Sequence, residues 1–558
     1  MDKKIMVGND IFDKCINNNG YYVDKTELIY ELAAKNFDDV TLFTRPRRFG
    51  KTLTMSMLES FFDISRDSHE VFRSLRVYRN HPDFCKEWMN QYPVLFITLK
   101  DVEGMSFEDA YEMLKNRISV KCSELAVLAD NPRVTKRDLN AFLRLLNEEG
   151  SISDMKSSLD TIMRLMHAAY GKPVILLIDE YDVPLARAKS SGDKDYYDRM
   201  LDVIRGIMSI SLKTNEHLKF AVITGCLRIS KESIFTGVNN FSCYTVTNNR
   251  FSEYFGFTED EVSAMLDSFG QSDKMGIIRE WYDGYIFGDT AVFCPWDVMN
   301  YLSSALYGEE EPRNYWANTS SNSILDSFVN HGQIDASEKF EALLNGGTIT
   351  EEISEELTYA DIGDTEKCLW SVLLMTGYLT KADTAAPYGG SIRLRIPNAE
   401  IRLLFRDAVV KRFVGKLEPR DADSFLNAMW EKDERKASET LSNILWDSIS
   451  FFDYGEDYYH GMLNGIFTSR GFRIDSNDES GLGRLDLRVR DRPRRRALLM
   501  EFKRTSKESD LETAAEEAIS QILRNGYDKA LPEGYETQLV YGIAFYKKKA
   551  LVKLMASA

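Results

Sequence analysis

Cysteine is sparse and shows no pairing pattern. The chain has seven in 558 residues (Cys15, Cys85, Cys122, Cys226, Cys243, Cys294, Cys368), far apart and with no C-x-x-C. An odd, scattered set argues against a disulfide framework and a cysteine zinc cluster, and fits a reducing compartment. Histidine is scarcer at six, without a close pair or H-E-x-x-H. Long apolar runs are missing. The longest aliphatic run, Val174 to Ile178, falls far short of the roughly 20 residues that cross a bilayer. The opening Met1-Asp-Lys-Lys-Ile-Met lacks the apolar stretch of a signal peptide. A cytoplasmic protein with no membrane partner is therefore expected. An excess of positive charge is absent too: 70 Lys and Arg stand against 87 Asp and Glu, a formal net charge of −17. That excludes a globally basic nucleic-acid coat protein, but not a local basic groove.

What is present is an ordinary globular balance, 44% hydrophobic and 28% charged. The length suits about three to five domains at roughly 100–200 residues each. Apolar runs at Val40–Thr44, Val94–Leu99, Val174–Ile178 and Phe220–Thr224 are continuous rather than alternating. Such runs suit strands buried on both faces of a parallel sheet, with helices between them. One such helix is Lys51–Phe62, with Leu53, Met57, Leu58 and Phe61 on one face. The expected class is α/β, with a first domain over 1–240. A helical lid over 241–350 and a helical, winged-helix-like region over 351–440 follow. In that region Gly377–Thr380 and Ile392–Ile396 read as a hairpin, in a winged-helix module or, as the plainer reading, in a structural lid or linker. From 445 to 558 the order becomes helix, strand, strand, helix, strand: Asp453–Phe467, Arg484–Arg490, Ala497–Lys503, Thr513–Asn525 and Gln538–Phe545.

The first strand runs into Arg45-Pro-Arg-Arg-Phe-Gly-Lys-Thr52, and a helix follows. Gly50-Lys51-Thr52 is the end of a phosphate-binding loop. Glycine lets the backbone approach phosphates, lysine reaches them, the threonine hydroxyl binds a magnesium ion, and the helix N-terminus adds N–H donors. The full pattern wants glycine where Arg45 stands. The strand Val174–Ile178 ends in Asp179-Glu180. In a nucleotide hydrolase the first acid helps hold magnesium and the second polarises water; alone, the pair also reads as a solvated strand end. Thr224 is a candidate γ-phosphate sensor, and Arg228 and Arg250 are candidate arginine fingers, each with a structural alternative.

Tyr22-Val-Asp-Lys-Thr26, the Arg45–Thr52 loop, Asp179-Glu-Tyr-Asp182, Trp281-Tyr-Asp-Gly-Tyr285 and Trp316-Ala-Asn-Thr-Ser320 together resemble the AAA-ATPase-like family. These are P-loop ATPases related to the STAND branch. The resemblance covers about residues 5–420, and the missing first glycine belongs to that family's pattern. It implies ATP with Mg2+, a helical lid and a conformational role for hydrolysis. Arg48, Phe49, Gly50, Lys51, Thr52 and Asp179 would bind the nucleotide, with Thr52 and Asp179 on the ion and Glu180 catalytic. Related ATPases often assemble, so a homo-oligomer is expected without a fixed number.

The last segment carries Gly483-Arg-Leu-Asp486 and, further on, Glu501-Phe-Lys503 in the apolar run Ala497–Lys503. A period of two puts Glu501 and Lys503 on one face, and Asp486 on the neighbouring strand can reach the same place. Paired carboxylates are hard oxygen ligands for magnesium or manganese. A lysine beside them suits metal-assisted phosphodiester hydrolysis. A solvated Glu–Lys pair on an edge strand is the plain alternative. Glu456, on the preceding helix, is a candidate third carboxylate. With Leu511–Ile522, Tyr527 and Tyr541–Phe545, the order resembles the PD-(D/E)xK nuclease superfamily, restriction-endonuclease-like in fold; Leu485-Asp486 replaces its Pro-Asp. On that likeness Asp486 and Glu501 are metal ligands, Lys503 the catalytic lysine and Gln521 a supporting residue.

Between Arg484 and Arg504 nine basic residues face three acidic ones. That is a positive island beside the expected metal site, or an ordinary exposed hairpin tip. Tyr454, Tyr458 and Tyr459 are candidates for base stacking or for helix core. The expected protein binds and hydrolyses ATP and couples it to a metal-dependent nuclease. Its substrate is DNA rather than RNA, in defence or in handling mobile elements. The rival is an ATP-dependent assembly switch whose last domain binds nucleic acid or protein without cutting.

Overall fold

The computed structural model describes residues 3–34, 38–228, 234–235, 241–316, 337–357, 365–383, 390–416, 419–448, 456–480, 483–526 and 535–555, a few element ends by backbone alone. Residues 317–320, Tyr454 and Tyr527, and the side chains of Glu456 and Tyr458, lie outside this description. The chain divides into two compact units. One comprises Met1–Ser323 with Thr350–Ile401, the other Ile324–Ile349 with Arg402–Ala558.

The first unit is built on a five-stranded parallel sheet. Its strands are β1 (Val40–Thr44), β2 (Val94–Thr98), β3 (Val174–Asp179), β4 (Leu218–Gly225) and β5 (Phe241–Tyr244), in the order β2-β3-β4-β1-β5. The continuous apolar runs are explained by burial: β1 and β3 are buried at every position. Parallel pairing puts every carboxyl-terminal strand end on one edge, with Thr44 beside Gly225 and Thr98 beside Asp179. β4 lies between the strand that enters the Arg45–Thr52 loop and the strand that ends in Asp179. The short β5, with partly buried side chains, has no apolar run to announce it. Further along stand the hairpin β6 (Tyr285–Phe287) and β7 (Thr290–Val292). A small sheet then follows in the order β8 (Ile349–Glu352), β10 (Ser391–Arg395), β9 (Thr380–Lys381). β9 and β10 are antiparallel, so the expected hairpin is present.

The second unit carries a five-stranded mixed sheet in chain order: β11 (Arg473–Ser480), β12 (Gly483–Asp491), β13 (Arg496–Arg504), β14 (Thr537–Tyr546) and β15 (Lys549–Leu554). β13 and β14 are parallel, joined through the helix Leu511–Asn525, and the other pairs are antiparallel. β11 is polar (RIDSNDES) and does not read as a strand in the sequence. One face packs Leu498, Met500, Phe502, Tyr541, Ile543 and Phe545 with residues of the helices Pro419–Glu431, Glu434–Ser448 and Glu456–Ser469. The sequence reading places 419–440 in a linker region. The structure places its apolar side in this core, because Ala422, Phe425, Met429 and Ala437 are buried there.

On the opposite face the helix Leu511–Asn525 crosses β13 and β14. Gly542 lets it come close: a Cβ at that position would stand 2.1 Å from the Ala515 carbonyl oxygen. No side chain fits without moving helix or strand. Gly542→Val should therefore destabilise the second unit by about 2–3 kcal/mol, as overpacking of a filled interior does. Urea unfolding followed by the fluorescence of the chain checks it; an unchanged midpoint would mean that the helix does not need that approach.

Candidate functional site

The carboxyl edge of the first sheet gathers the sequence-expected residues. Gly50 has φ +79 and open space where a Cβ would stand, so glycine serves the left-handed backbone here. Arg48 (φ 72) and Glu180 (φ 53) adopt the same region without that freedom, at about 1–2 kcal/mol each. Strain of this kind collects where surrounding structure imposes a geometry. Lys51 is nearly buried, and its ammonium donates to the carbonyls of Arg45 (3.0 Å) and Pro46 (2.8 Å). It thus holds its own loop closed by bonds that a phosphate oxygen can replace. Thr52 Oγ1 donates to Asp179 Oδ2 at 2.8 Å. Asp179, fully buried, also accepts from the Thr224 hydroxyl. A threonine hydroxyl and a carboxylate at this separation form a hard-oxygen donor set that fits a divalent cation. Glu180 follows, its carboxyl pushed up first by burial, against the nearby positive charge of Lys51. A raised carboxyl is the better general base near neutral pH.

Arg45, at the position of the missing glycine, contributes to the scaffold. It is fully buried, donates to the carbonyls of Thr44 (2.9 Å) and Tyr244 (2.7 Å), and lies over the rings of Phe255 and Phe287. Phe49 is buried against Tyr285 and Phe287, at 5.0 and 4.9 Å between ring centres. Arg48 lies 4.1 Å over the Trp296 ring and donates to the Tyr315 carbonyl at 3.1 Å. Arg250 donates to the Tyr244 hydroxyl, and Arg228 stands 3.8 Å from Glu356; these contacts support the structural alternative for both. A cavity of about 340 Å³ opens beside Gly50, Lys51 and Thr52, walled by Tyr22, Lys25, Tyr254, Trp296 and Met299 among others.

The sequence reading missed Asp297 and Glu400. Both are fully buried and face each other as a carboxyl pair, with Arg48 near enough to act on their charge. Glu400 Oε1 accepts the Trp316 N–H at 2.8 Å. Asp297 bonds to both the Glu400 carboxyl and the Cys294 thiol, and the bond between the two carboxyls requires a proton on one of them. Burial is the largest cause pushing both acids up, and the charge of Asp297 lifts Glu400 further. Asp297 sits in the first turn of the helix Pro295–Leu306. There an acid reads as a complement to the helix dipole, which is why nothing in the sequence singles it out.

In the second unit, the paired register of β12 and β13 runs from Asp491↔Arg496 to Leu487↔Met500. The next position brings Asp486 opposite Glu501. Asp486 Oδ2 accepts the Phe502 N–H at 2.8 Å, and Glu501 Oε2 lies 3.4 Å from the Asp486 N–H. Glu501 is buried at the strand end, and Gln521, on the helix that Gly542 admits, donates to its Oε1. Lys503 follows two positions along the same face. His460 meets the Asp486 carbonyl at 2.6 Å. Asp486, Glu501, Lys503 and Gln521 therefore gather on one face, as expected. Two facing carboxylates with an amide behind them suit a hard divalent cation. Among the described residues no group of three or more His, Cys, Asp or Glu forms a metal cluster. The expected third ligand, Glu456, has no described side chain.

The arginine-rich turn follows the hairpin-tip alternative. Arg492, Arg494 and Arg495 sit at the far end of the hairpin from Glu501, not beside it. Arg488, two residues along β12 from Asp486, shares its face. Tyr459 is core: fully buried and stacked on Phe545 at 4.1 Å. No described helix is long and apolar enough to cross a membrane.

Comparison with known proteins places two domains on this chain. Residues 6–235 match the family model described as "Predicted AAA-ATPase", and residues 454–554 match that of the PD-(D/E)XK nuclease superfamily. The chain is also 26% identical, over 97% of its length and 96% of the relative's, to the "Uncharacterized protein in vnfD 5'region" of Azotobacter chroococcum mcd 1.

The buried acid pair generates a pH dependence. A carboxyl raised in the folded state lends stability at low pH and withdraws it as pH rises through the raised value. Thermal stability of the first unit should therefore fall as pH climbs from the ordinary carboxyl range, about 4, toward about 9, and Glu400→Gln should flatten that fall. Melting curves across this range check it; a wild-type profile as flat as the variant's would remove the shared proton.

Proposed function

We propose, from an AAA-ATPase-like domain and a PD-(D/E)XK nuclease-superfamily domain in one chain, that this protein hydrolyses ATP at the first site and DNA phosphodiesters at the second. The observation that carries the nuclease half is the buried Glu501 facing Asp486 at the end of β13, with Lys503 on the same face.

At the first site Lys51 exchanges its loop carbonyls for the β and γ phosphates, and the backbone around Gly50 receives phosphate oxygens. The cavity beside the loop takes the base and ribose against Tyr22, Tyr254 and Trp296. Thr52 and Asp179 are the residues that would hold Mg2+, and Glu180 accepts the proton of the attacking water. At the second site Asp486 and Glu501, with Glu456 a further candidate, would hold Mg2+ or Mn2+. Such an ion, when bound, acidifies water and offsets charge on the phosphate. Gln521 fixes the Glu501 carboxylate, and Lys503 supplies positive charge beside the phosphorus under attack. Water adds to phosphorus, the P–O bond to the leaving nucleotide breaks, and a phosphate end and a hydroxyl end result. ATP turnover in a STAND-like switch would gate the cutting. Defence against foreign DNA or control of mobile elements suits the pairing, by analogy of architecture.

The test is a cleavage assay on plasmid and single-stranded DNA with Mg2+ or Mn2+, with and without ATP. Wild type should cut. Asp486→Ala and Lys503→Ala should each lose about a hundredfold or more, the scale for removing a charge-stabilising group. Lys51→Ala should abolish ATP turnover and reveal the gating. Cutting that persists in Lys503→Ala would sink the nuclease assignment. ATP binding without any cutting would favour a switch whose last domain only binds.

A further inference from the structure

Two basic turns mark opposite ends of the second unit's sheet. β13 and β14 run parallel, with Arg496 opposite Thr537 at one end and Arg504 opposite Phe545 at the other. The arginine turn 492–495 joins β12 to β13 at the first end. The turn Lys547-Lys548 joins β14 to β15 at the second, where Tyr546 pairs with Lys549. Glu501 and Lys503 lie toward that second end. At about 3.3 Å per residue, Lys503 lies about 26 Å along from the arginine turn but, through its neighbour Ala544, only about 10 Å from Lys547; for Glu501 and its neighbour Gly542 the two distances are about 20 and about 17 Å.

The two turns also differ in their partners. Arg494 and Arg496 stand 3.8 and 2.8 Å from Asp491, Arg495 stands 2.7 Å from Glu536, and Arg496 also covers Trp430. Most of the arginine turn is thus tied into ion pairs. In the lysine turn, Lys547 is exposed, with its ammonium 5.3 Å from the Tyr546 ring. Lys548 reaches the Trp446 carbonyl at 3.3 Å and lies 5.0 Å over the Trp446 ring. Trp446 is 58% exposed. The acid nearby, Glu508, is paired with Lys549 at 2.5 Å.

This patch is held in place. Ser438 and Ser442 bond to Val552 and Ala550, so the helix Glu434–Ser448 follows β15 back to the turn and delivers Trp446 to that end of the sheet, on the face opposite the helix that carries Gln521; a nucleic-acid strand reaching from Trp446 to Glu501 crosses the end of the sheet. The buried Tyr459 donates to the Lys547 carbonyl at 2.8 Å. Lys547 has a left-handed backbone, φ 51. Arg495 has the same geometry, so strain does not separate the turns; position and partners do.

We propose that Lys547, Lys548 and the Trp446 indole form the surface that holds a single strand of nucleic acid for cutting at Asp486, Glu501 and Lys503. The two ammonium groups meet phosphates, and the indole, released from Lys548, stacks on an unpaired base. A flat exposed ring beside cations suits single strands, because every base has a face to stack. This inference rests on the nuclease reading above.

The experiment measures binding of the full chain to a labelled single-stranded DNA and its duplex in EDTA across a salt titration, then cutting in Mg2+. Lys547→Glu/Lys548→Glu should weaken single-strand binding at least tenfold and reduce the slope of log K against log salt by about 1.4, or about 0.7 for each phosphate left without its lysine. Trp446→Ala should weaken the single strand by about tenfold, the scale of one stacked base, and leave the duplex unchanged. Arg492→Glu/Arg494→Glu should leave both unchanged. Melting curves confirm that each variant is folded. If wild type cuts DNA but the lysine variant keeps affinity and slope, or the arginine variant loses them, this surface is wrong while the nuclease stands. Equal losses on duplex and single strand in Trp446→Ala overturn the single-strand class. A wild type that neither binds nor cuts overturns both readings.

Discussion

The first unit depends on keeping a carboxylate dry. Asp179 is fully buried at the end of β3, where an unpaired charge would cost several kcal/mol. The fold meets that cost with hydroxyls from two other elements, Thr52 at the start of the helix after β1 and Thr224 on β4. The strand order β3-β4-β1 makes this convergence possible. Parallel pairing brings Asp179, Thr224 and the exit of β1 to the same edge, and Gly50 turns the chain so that Thr52 faces the acid. The constraint that satisfies the acid therefore also positions the loop.

The second unit solves the same problem with different parts. Glu501 is buried at the end of β13, and its supports are the Gln521 amide and the Asp486 backbone. Both sites place a lysine close to the buried acid, Lys51 in one and Lys503 in the other. The placement of Gln521 against Glu501 rests on Gly542, where the helix comes closest to β14. With a side chain at that position the helix carrying Gln521 would stand off the sheet.

Strands that are buried on both faces announce themselves. β1, β3 and the helix Lys51–Phe62 were legible because few structures besides buried strands and amphipathic helices produce continuous apolar runs and a three-and-four spacing. β12, β13 and β14 were legible for the same reason, and their alternation put Glu501 and Lys503 on one face. β5 and β11 were not, because their residues are polar or half-covered and only the neighbouring strand makes them strands. The core that 419–448 joins was not legible because amphipathic helices look alike whichever core they join; only contact with β14 and β15 assigns it. Asp297 and Glu400 were hidden for a deeper reason. They lie about a hundred positions apart, and a buried acid is indistinguishable in sequence from a solvated one.

Charge misleads in the same manner. A count along the chain gathers Arg492, Arg494 and Arg495 with Asp486 and Glu501, because they are near in sequence. An antiparallel hairpin does the opposite: it brings together the residues farthest from its turn and sends the turn itself away. The basic residues near Lys503 must then come from elsewhere, and the parallel neighbour supplies them. β14 ends where β13 ends, so whatever follows β14 arrives at the end of the sheet toward which Lys503 lies. Lys547 and Lys548 follow it, over forty positions downstream of Lys503, and the helix that tracks β15 adds Trp446 from the other side of the sequence. Proximity to a site in a mixed sheet is decided by strand direction, and strand direction is what a linear charge count leaves out.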